Sequence, residues 1–215
     1  MELIDLDLNK VSNFSDLDLN KVYTYADYLK WTFDETVELI RGRIFKMAAP
    51  LVNHQESSGN IQNIFKNYLK GKPCKVYSAP FDVRLPKPVT LRKSDKDMQT
   101  VVQPDVCIIC DLKKLDKRGC IGAPDLIVEV LSKGTANRDF KDKFEIYEES
   151  GVKEYWIVDY HLKTVMVYKL TESGKFIGSH HPYIIGETIE VGIFNDLSVA
   201  VADIFDGLID FDDED

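Results

Sequence analysis

The stretch that decides the fold is APDLIVEVLS, residues 123–132. Its run Leu126–Leu131 is nearly all apolar and has the length of one strand, which is typical of a strand covered on both faces. Glu129 interrupts the run, and an ionised carboxylate in an apolar strand is costly unless a cation or hydrogen bonds compensate it. The stretch therefore predicts a central strand that carries a functional acid.

A second apolar strand, Val106–Ile109, lies upstream and follows directly after Pro104-Asp105. If the two strands are neighbours, the carboxylates of Asp105 and Glu129 converge at one end of the sheet. Mg²⁺ suits such a pair, because it prefers oxygen ligands and combines few protein carboxylates with several waters. An isolated acid at a strand end is more often a cap or an ion-pair partner, so the interpretation of Asp105 depends on its pairing with Glu129.

A helix over residues 139–149 is predicted by apolar positions that recur at helical spacing. Asp139, Lys143 and Tyr147 fall at i, i+4 and i+8 and therefore share one stripe of this helix. Because the strand that carries Glu129 leads into the helix, the helix is expected to pack back onto the same sheet. Lys143 can then reach the acids, and an ammonium beside a metal can orient water or stabilise charge on phosphorus.

The N-terminal half predicts a β-hairpin and a long helix. Residues 37–40 and 44–47 flank Gly42, which can take the positive φ of a tight turn. Residues 55–70 have apolar positions at i, i+3, i+4, i+7 and i+8, and Gly71 is placed to end that helix. Further strands are expected at residues 75–78, 81–85, 154–159 and 164–169, with a polar loop over 87–100.

The chain ends differ in composition from its middle. The segment LDLNKV occurs at residues 6–11 and again at 17–22, so residues 1–20 are interpreted as an extension of one domain spanning residues 21–205. Residues 206–215 form an acidic tail. Residues 1–20 carry a formal charge of −4 and residues 203–215 one of −7, which leaves +2 of the net −9 for the middle of the chain. An acidic chain as a whole therefore does not exclude a nucleic-acid site.

Composition also bounds the location of the protein. At 215 residues with 44% hydrophobic content, the chain fits a single domain with a substantial core. No apolar run approaches the length that spans a bilayer, and the acidic N-terminus does not resemble a secretory signal. We therefore expect a cytoplasmic protein with no membrane contact.

The four cysteines include the C-x-x-C pair Cys107 and Cys110, which could indicate zinc or redox chemistry. The pair lies in an apolar strand, and the sequence has no second paired motif to complete a tetrahedral site. We therefore expect buried, reduced thiols. The histidines are scattered and predict no metal cluster.

Four pieces of the sequence occur in a characteristic order. They are Pro104-Asp105, residues 123–132, Asp139-x-x-x-Lys143-x-x-x-Tyr147 and residues 151–159, with Glu38, Gly42 and His54 upstream. Together these pieces resemble the Uma-two family of restriction endonucleases, within the PD-(D/E)xK nuclease superfamily. The resemblance covers about residues 23–205.

The resemblance implies an α/β fold with a restriction-endonuclease-like mixed sheet flanked by helices. It implies that Asp105 and Glu129 bind Mg²⁺ or Mn²⁺, and the backbone carbonyl of Val130 is a further candidate ligand. Glu38 would join the catalytic site from the N-terminal layer, although its alternating strand also allows its side chain to face water.

The basic catalytic residue departs from the superfamily pattern. The usual Glu-x-Lys spacing would place a lysine at position 131, where this chain has Leu131. Lys143 fills the family's Lys-x-x-x-Tyr position on the following helix, so it is the expected catalytic lysine. Lys133 and Lys141 are the alternatives.

The function implied is Mg²⁺-dependent hydrolysis of DNA phosphodiester bonds by a homodimeric endonuclease. The alternative is a catalytically inactive dimerising or nucleic-acid-binding module on the same fold. No motif in the sequence reads bases, so it predicts no target sequence.

Overall fold

The computed structural model describes residues 10–86, 94–96, 98–132 and 138–211. Within these ranges no helix is both long enough and apolar enough to cross a membrane. The helices are α1 Tyr25–Tyr28, α2 Val52–Tyr68, α3 Phe144–Ser150 and α4 Val201–Ile204, and a π-helical segment Arg138–Lys143 leads into α3. The strands are β1 Val37–Ile40, β2 Arg43–Lys46, β3 Lys75–Ser78, β4 Asp82–Arg84, β5 Val101–Val102, β6 Val106–Ile109, β7 Leu115–Asp116, β8 Gly119–Ile121, β9 Leu126–Val130, β10 Glu154–Asp159, β11 Thr164–Leu170, β12 Phe176–Gly178, β13 Tyr183–Ile184, β14 Thr188–Glu190 and β15 Ser198–Ala200.

The larger sheet contains the two apolar strands on which the sequence interpretation depends. Its strand order is β12-β11-β10-β9-β6-β3, with β13 paired to β11. β9 runs parallel to β10 and antiparallel to β6, and every residue of β6 and β9 is buried. The prediction that these two strands are central neighbours is therefore confirmed.

The N-terminal hairpin belongs to a second sheet, with strand order β2-β1-β5-β4-β8-β7, and β14 and β15 form a separate pair. The hairpin is confirmed, and Arg41 and Gly42 at its turn both have positive φ. The sequence did not predict β5, β7 and β8, because strands of two or three residues are too short to show a periodic pattern.

Two hydrophobic clusters cover the two faces of the larger sheet. One joins β6, β9 and β10 to α2 and α4, and the other joins the opposite face to α3 and the second sheet. α2 begins three residues earlier than predicted, so His54 lies in its first turn and is buried. Phe65 of α2 is fully buried against Trp156 of β10, with ring centroids 5.7 Å apart.

The expectation that all four cysteines are reduced is wrong for two of them. Cys74 and Cys110 form a disulfide, whereas Cys107 and Cys120 are free and buried. The reason is the register of β3 and β6, in which Lys75 pairs with Ile109 and the cysteines one residue further on face each other. Their Cα atoms are 4.0 Å apart.

Both chain ends contact the domain where they are described. In the N-terminal extension, Leu17 is buried and Val11 forms a bridge with Trp31, while residues 1–9, with most of the first LDLNKV copy, lie outside the described residues. Near the C-terminus, Asn53 of α2 exchanges two hydrogen bonds with the backbone of Ile209. Residues 212–215 and most of the polar loop, 87–93 and 97, are also outside the description.

Truncation of Phe65 tests this packing. The Phe65→Ala variant should lower the free energy of unfolding by about 3–5 kcal/mol, because it removes a buried ring between α2 and the sheet. Urea denaturation measures the loss. The neighbouring exposed Lys66→Ala variant should stay within about 0.5 kcal/mol of the wild type, and an equal effect of both changes would contradict the placement of α2.

Candidate active site

Glu129 lies in the middle of the buried strand β9, and its side chain is only 5% exposed. Its Oε1 atom accepts a hydrogen bond from the hydroxyl of Tyr147 at 2.6 Å and another from Nζ of Lys143 at 2.9 Å. The cation and the hydroxyl offset the cost of placing a carboxylate inside an apolar strand. The acid that the sequence marks as anomalous is therefore held by two residues of the following helix.

Lys143 ends the π-helical segment before α3, and its side chain is 5% exposed. Its Nζ atom lies 3.0 Å from Oε1 of Glu38 as well as 2.9 Å from Oε1 of Glu129. Lys143 thereby joins an acid of each of the two sheets. Of the alternative lysines, Lys141 is exposed, and Lys133 lies outside the described residues.

Glu38 is buried on β1, so the possibility that its side chain faces water is wrong. All four residues of β1 are buried, because this strand lies between β2 and β5 and its sheet packs against the larger one. Besides Lys143, Oε1 of Glu38 accepts the backbone N–H of Gln103 at 2.9 Å. The structure thus brings together Glu38, Glu129 and Lys143.

Asp105 directly precedes β6, next to β9. Because Val106 pairs with Val128, the register places Asp105 beside Glu129 across the two antiparallel strands. Its Oδ2 atom accepts the backbone N–H of Val130 at 2.7 Å and lies 3.3 Å from Nε2 of His54. Asp105 is therefore at the same end of the sheet as Glu129, but its contacts are with Val130 and His54 rather than with Lys143.

Burial, followed by the charge of Glu129, raises the pKa of Tyr147 well above its usual value. The hydroxyl therefore remains a donor to Glu129 over the working pH range. Burial likewise raises the pKa of the Cys107 thiol on the adjacent strand, with smaller contributions from Cys120 and Glu129. A thiol in that state is a poor nucleophile.

Asp125, at the other end of β9, has a structural role. Its carboxylate accepts the backbone N–H of Cys110 at 2.7 Å and pairs with Nζ of Lys153 at 2.7 Å. The first contact joins the C-terminal end of β6 to the N-terminal end of β9, whereas Glu129 lies near the other end of β9.

The donor set can be compared with the needs of a divalent cation. Within the described part of the chain no three His, Cys, Asp or Glu side chains are gathered as a ready metal cluster. The neighbouring carboxylates of Asp105 and Glu129 nevertheless supply hard oxygen donors, and Mg²⁺ usually takes one or two protein carboxylates with waters. The residues present fit Mg²⁺ or Mn²⁺ in chemistry, whereas they do not fit a fully protein-built cage.

Two residues at the site carried little signal in the sequence. His54 contacts Asp105 from the first turn of α2, although in the sequence it is one of the scattered histidines that predict no metal cluster. Gln103 was missed, because a glutamine two residues before Asp105 shows no pattern that distinguishes it from a loop residue. Its role depends on contacts that only the fold creates.

Comparison with known proteins agrees with this architecture. A crystal structure of a "putative nuclease belonging to DUF820" from Anabaena variabilis superposes with a TM-score of 0.64 and 18% identity, covering 85% of this chain and 97% of that one. This likeness confirms the restriction-endonuclease-like α/β fold expected from the sequence. An uncharacterized protein of Synechocystis sp., slr1290, is 26% identical over 185 residues, or 85% of this chain and 90% of the relative.

The family comparison covers most of the domain. The model of the Uma2 family, whose description is "Putative restriction endonuclease", matches residues 25–201. The matched range includes all of the acids and the lysine described above. The chain therefore belongs to the Uma2 family of nuclease-type proteins.

Proposed function

We propose that the protein is a metal-dependent endonuclease that hydrolyses phosphodiester bonds of DNA at the site formed by Asp105, Glu129, Lys143 and Glu38. The observation that carries the proposal is the burial of Lys143 between two carboxylates of different sheets, 2.9 and 3.0 Å from their oxygens. Structural ion pairs are mostly exposed, and the burial of an ion pair adds little to stability. The burial of Lys143 with two carboxylates therefore favours a functional role.

Asp105 and Glu129 would hold Mg²⁺ or Mn²⁺, and the backbone carbonyl of Val130 is a candidate further ligand. Bound there, such an ion would supply Lewis-acid polarisation of a phosphodiester oxygen and lower the pKa of a bound water. The adjacency of Asp105 and Glu129 across β6 and β9 supports this assignment.

The remaining groups act through charge and orientation. The ammonium of Lys143 can donate a hydrogen bond to an attacking water or to a phosphate oxygen, where negative charge grows during in-line attack. Glu38 holds that ammonium from the opposite side to Glu129. Tyr147 fixes Glu129 by a 2.6 Å hydrogen bond, so that the carboxylate keeps one orientation.

DNA as the substrate comes from the description of the family as restriction endonucleases. A homodimer would suit the cutting of both strands, and a cytoplasmic location would give access to DNA. A scaffold without catalysis is the alternative outcome of the experiments below.

The first test is the isosteric Glu129→Gln variant. It keeps an acceptor for Tyr147 and leaves Lys143 paired with Glu38, so the domain should stay folded. It should lower the rate of Mg²⁺- or Mn²⁺-dependent cleavage of plasmid DNA by about 100- to 1,000-fold or more, because it removes a charge that acts at the reacting centre. Gel assays at saturating metal measure the rate, and circular dichroism checks folding.

The matched control is Glu149→Gln on α3. That glutamate pairs with Arg41 at the surface, where its side chain is 52% exposed, so the change should cost no more than about 1 kcal/mol and leave cleavage intact. Equal cutting by the wild type and Glu129→Gln would contradict the assignment. Absence of both cleavage and metal binding in the wild type would favour the scaffold.

A second test addresses the hydroxyl of Tyr147. The Tyr147→Phe variant keeps the buried ring but removes the donor to Glu129, so Mn²⁺ affinity should fall about 10- to 100-fold, as is typical when a partner of a metal ligand is lost. Calorimetric titration measures the affinity. Tyr168→Phe, in the same hydrophobic cluster, is the control; unchanged affinity in Tyr147→Phe would assign this tyrosine to packing alone.

A further inference from the structure

The crossover from β5 to β6 consists of Gln103, Pro104 and Asp105, and it connects the two sheets. The backbone N–H of Gln103 donates to Glu38 of the smaller sheet at 2.9 Å. Two residues later, the carboxylate of Asp105 accepts the N–H of Val130 in the larger sheet at 2.7 Å. Three consecutive residues therefore contact the acid-bearing strands of both sheets.

The side chain of Gln103 anchors this crossover to the smaller sheet. The residue is 7% exposed, and its Nε2 donates to Oδ1 of Asp82 at 2.9 Å and lies 3.3 Å from the hydroxyl of Tyr28. Tyr25 also donates to the Asp82 carboxylate, at 3.2 Å. Asp82 is the first residue of β4, the strand that pairs with β5.

Two phenol groups also donate to the Asp82 carboxylate. Burial, then the charge of Asp82, raises the pKa of Tyr25 to about 12, and the same two causes raise the pKa of Tyr28 further. Both hydroxyls therefore stay protonated and donate to the Asp82 carboxylate, which also accepts from the amide of Gln103. The hydrogen bond to Asp82 sets the orientation of that amide, because Nε2 is its donor group and Oε1 its acceptor.

This orientation has an energetic cost. With Nε2 directed at Asp82, the Oε1 atom of Gln103 is buried without a hydrogen-bond partner in the described part of the protein. An unsatisfied buried acceptor costs about 1–3 kcal/mol. The contribution of the amide at this point therefore lies in the hydrogen bond from its Nε2 to Asp82 and not in its oxygen.

We propose that Gln103 is a positioning residue of the active site. Its amide and the Asp82 carboxylate form a clamp that fixes the crossover, and the crossover in turn sets the spacing between Glu38 on one sheet and Asp105 at the edge of the other. The inference deepens the proposed nuclease function and rests on it for its catalytic consequence.

The clamp acts over a short distance. Pro104 stands between Gln103 and Asp105, and its ring restricts φ, so a shift of Gln103 passes to Asp105 with little loss. A displacement of about 1 Å at a reacting group can cost about 100-fold in rate. Loss of the clamp should therefore disturb the carboxylates of both sheets, although Asp82 contacts neither of them.

Native-state amide hydrogen exchange tests the clamp directly. The N–H of Gln103 reports on Glu38, and the N–H of Val130 reports on Asp105. In Asp82→Ala both amides should exchange about 10-fold faster or more than the change in global stability accounts for. Asp82→Asn keeps an oxygen that accepts from Gln103 and should restore most of the protection.

The control is Asp116→Ala, which removes a carboxylate paired with buried Arg84 in the same sheet but outside the crossover. In this control, the exchange rates of the Gln103 and Val130 amides should rise only as much as the change in global stability accounts for. If Asp82→Ala does not fold, Gln103→Met removes the amide at similar length and is read in the same way. In the folded clamp variant, Mn²⁺ affinity and kcat should fall about 10- to 100-fold, with KM for DNA unchanged.

Two results would overturn the clamp. If the N–H of Val130 exchanges at the wild-type rate in Asp82→Ala, the crossover does not transmit the change to Asp105. If protection at both amides falls only as much as global stability does, as in the Asp116→Ala control, the contacts of Gln103 and Asp82 are structural only. Hydrogen exchange needs no activity, so a wild type that neither binds metal nor cuts DNA would refute the proposed function while the exchange data still decide the clamp.

Discussion

The ion pairing of Lys143 with Glu38 and Glu129 is the interaction on which the site depends. The two carboxylates come from strands of different sheets, and all three side chains are at most 5% exposed. Breaking such a buried group of charges by removing one partner typically costs about 3–5 kcal/mol. α3 must therefore stay packed between the sheets, and its fourth residue, Tyr147, adds a neutral donor to the same oxygen of Glu129.

The sequence predicted the parts of the site where a residue conflicts with its surroundings. Glu129 stood out because it interrupts an apolar strand, and Lys143 because the helical stripe and the family pattern both point to it. The strands around them were predictable for the same reason, since continuous apolar runs indicate burial on both faces. In the structure Lys143 lies in the helical segment that is the next element after β9, and it forms an ion pair with Glu129.

Features that depend on how distant segments align were beyond the sequence. An alternating strand such as β1 does not reveal that both of its faces are covered. The burial of Glu38 results from the packing of the two sheets, which the sequence does not show. The disulfide follows from the register of β3 and β6, whose cysteines are 36 residues apart. Gln103 acquires its contacts only because β5 and β6 belong to different sheets.

The central claim is that Asp105 and Glu129 form a metal site beside Lys143. Anomalous diffraction from crystals soaked in Mn²⁺ tests it most directly. The account predicts one peak about 2.1–2.2 Å from a carboxylate oxygen of each acid, a distance slightly longer than is usual for Mg²⁺. Nζ of Lys143 should lie next to the metal-bound water. A peak elsewhere in the protein, or no peak at a concentration that saturates Mn²⁺-dependent nucleases, would contradict it.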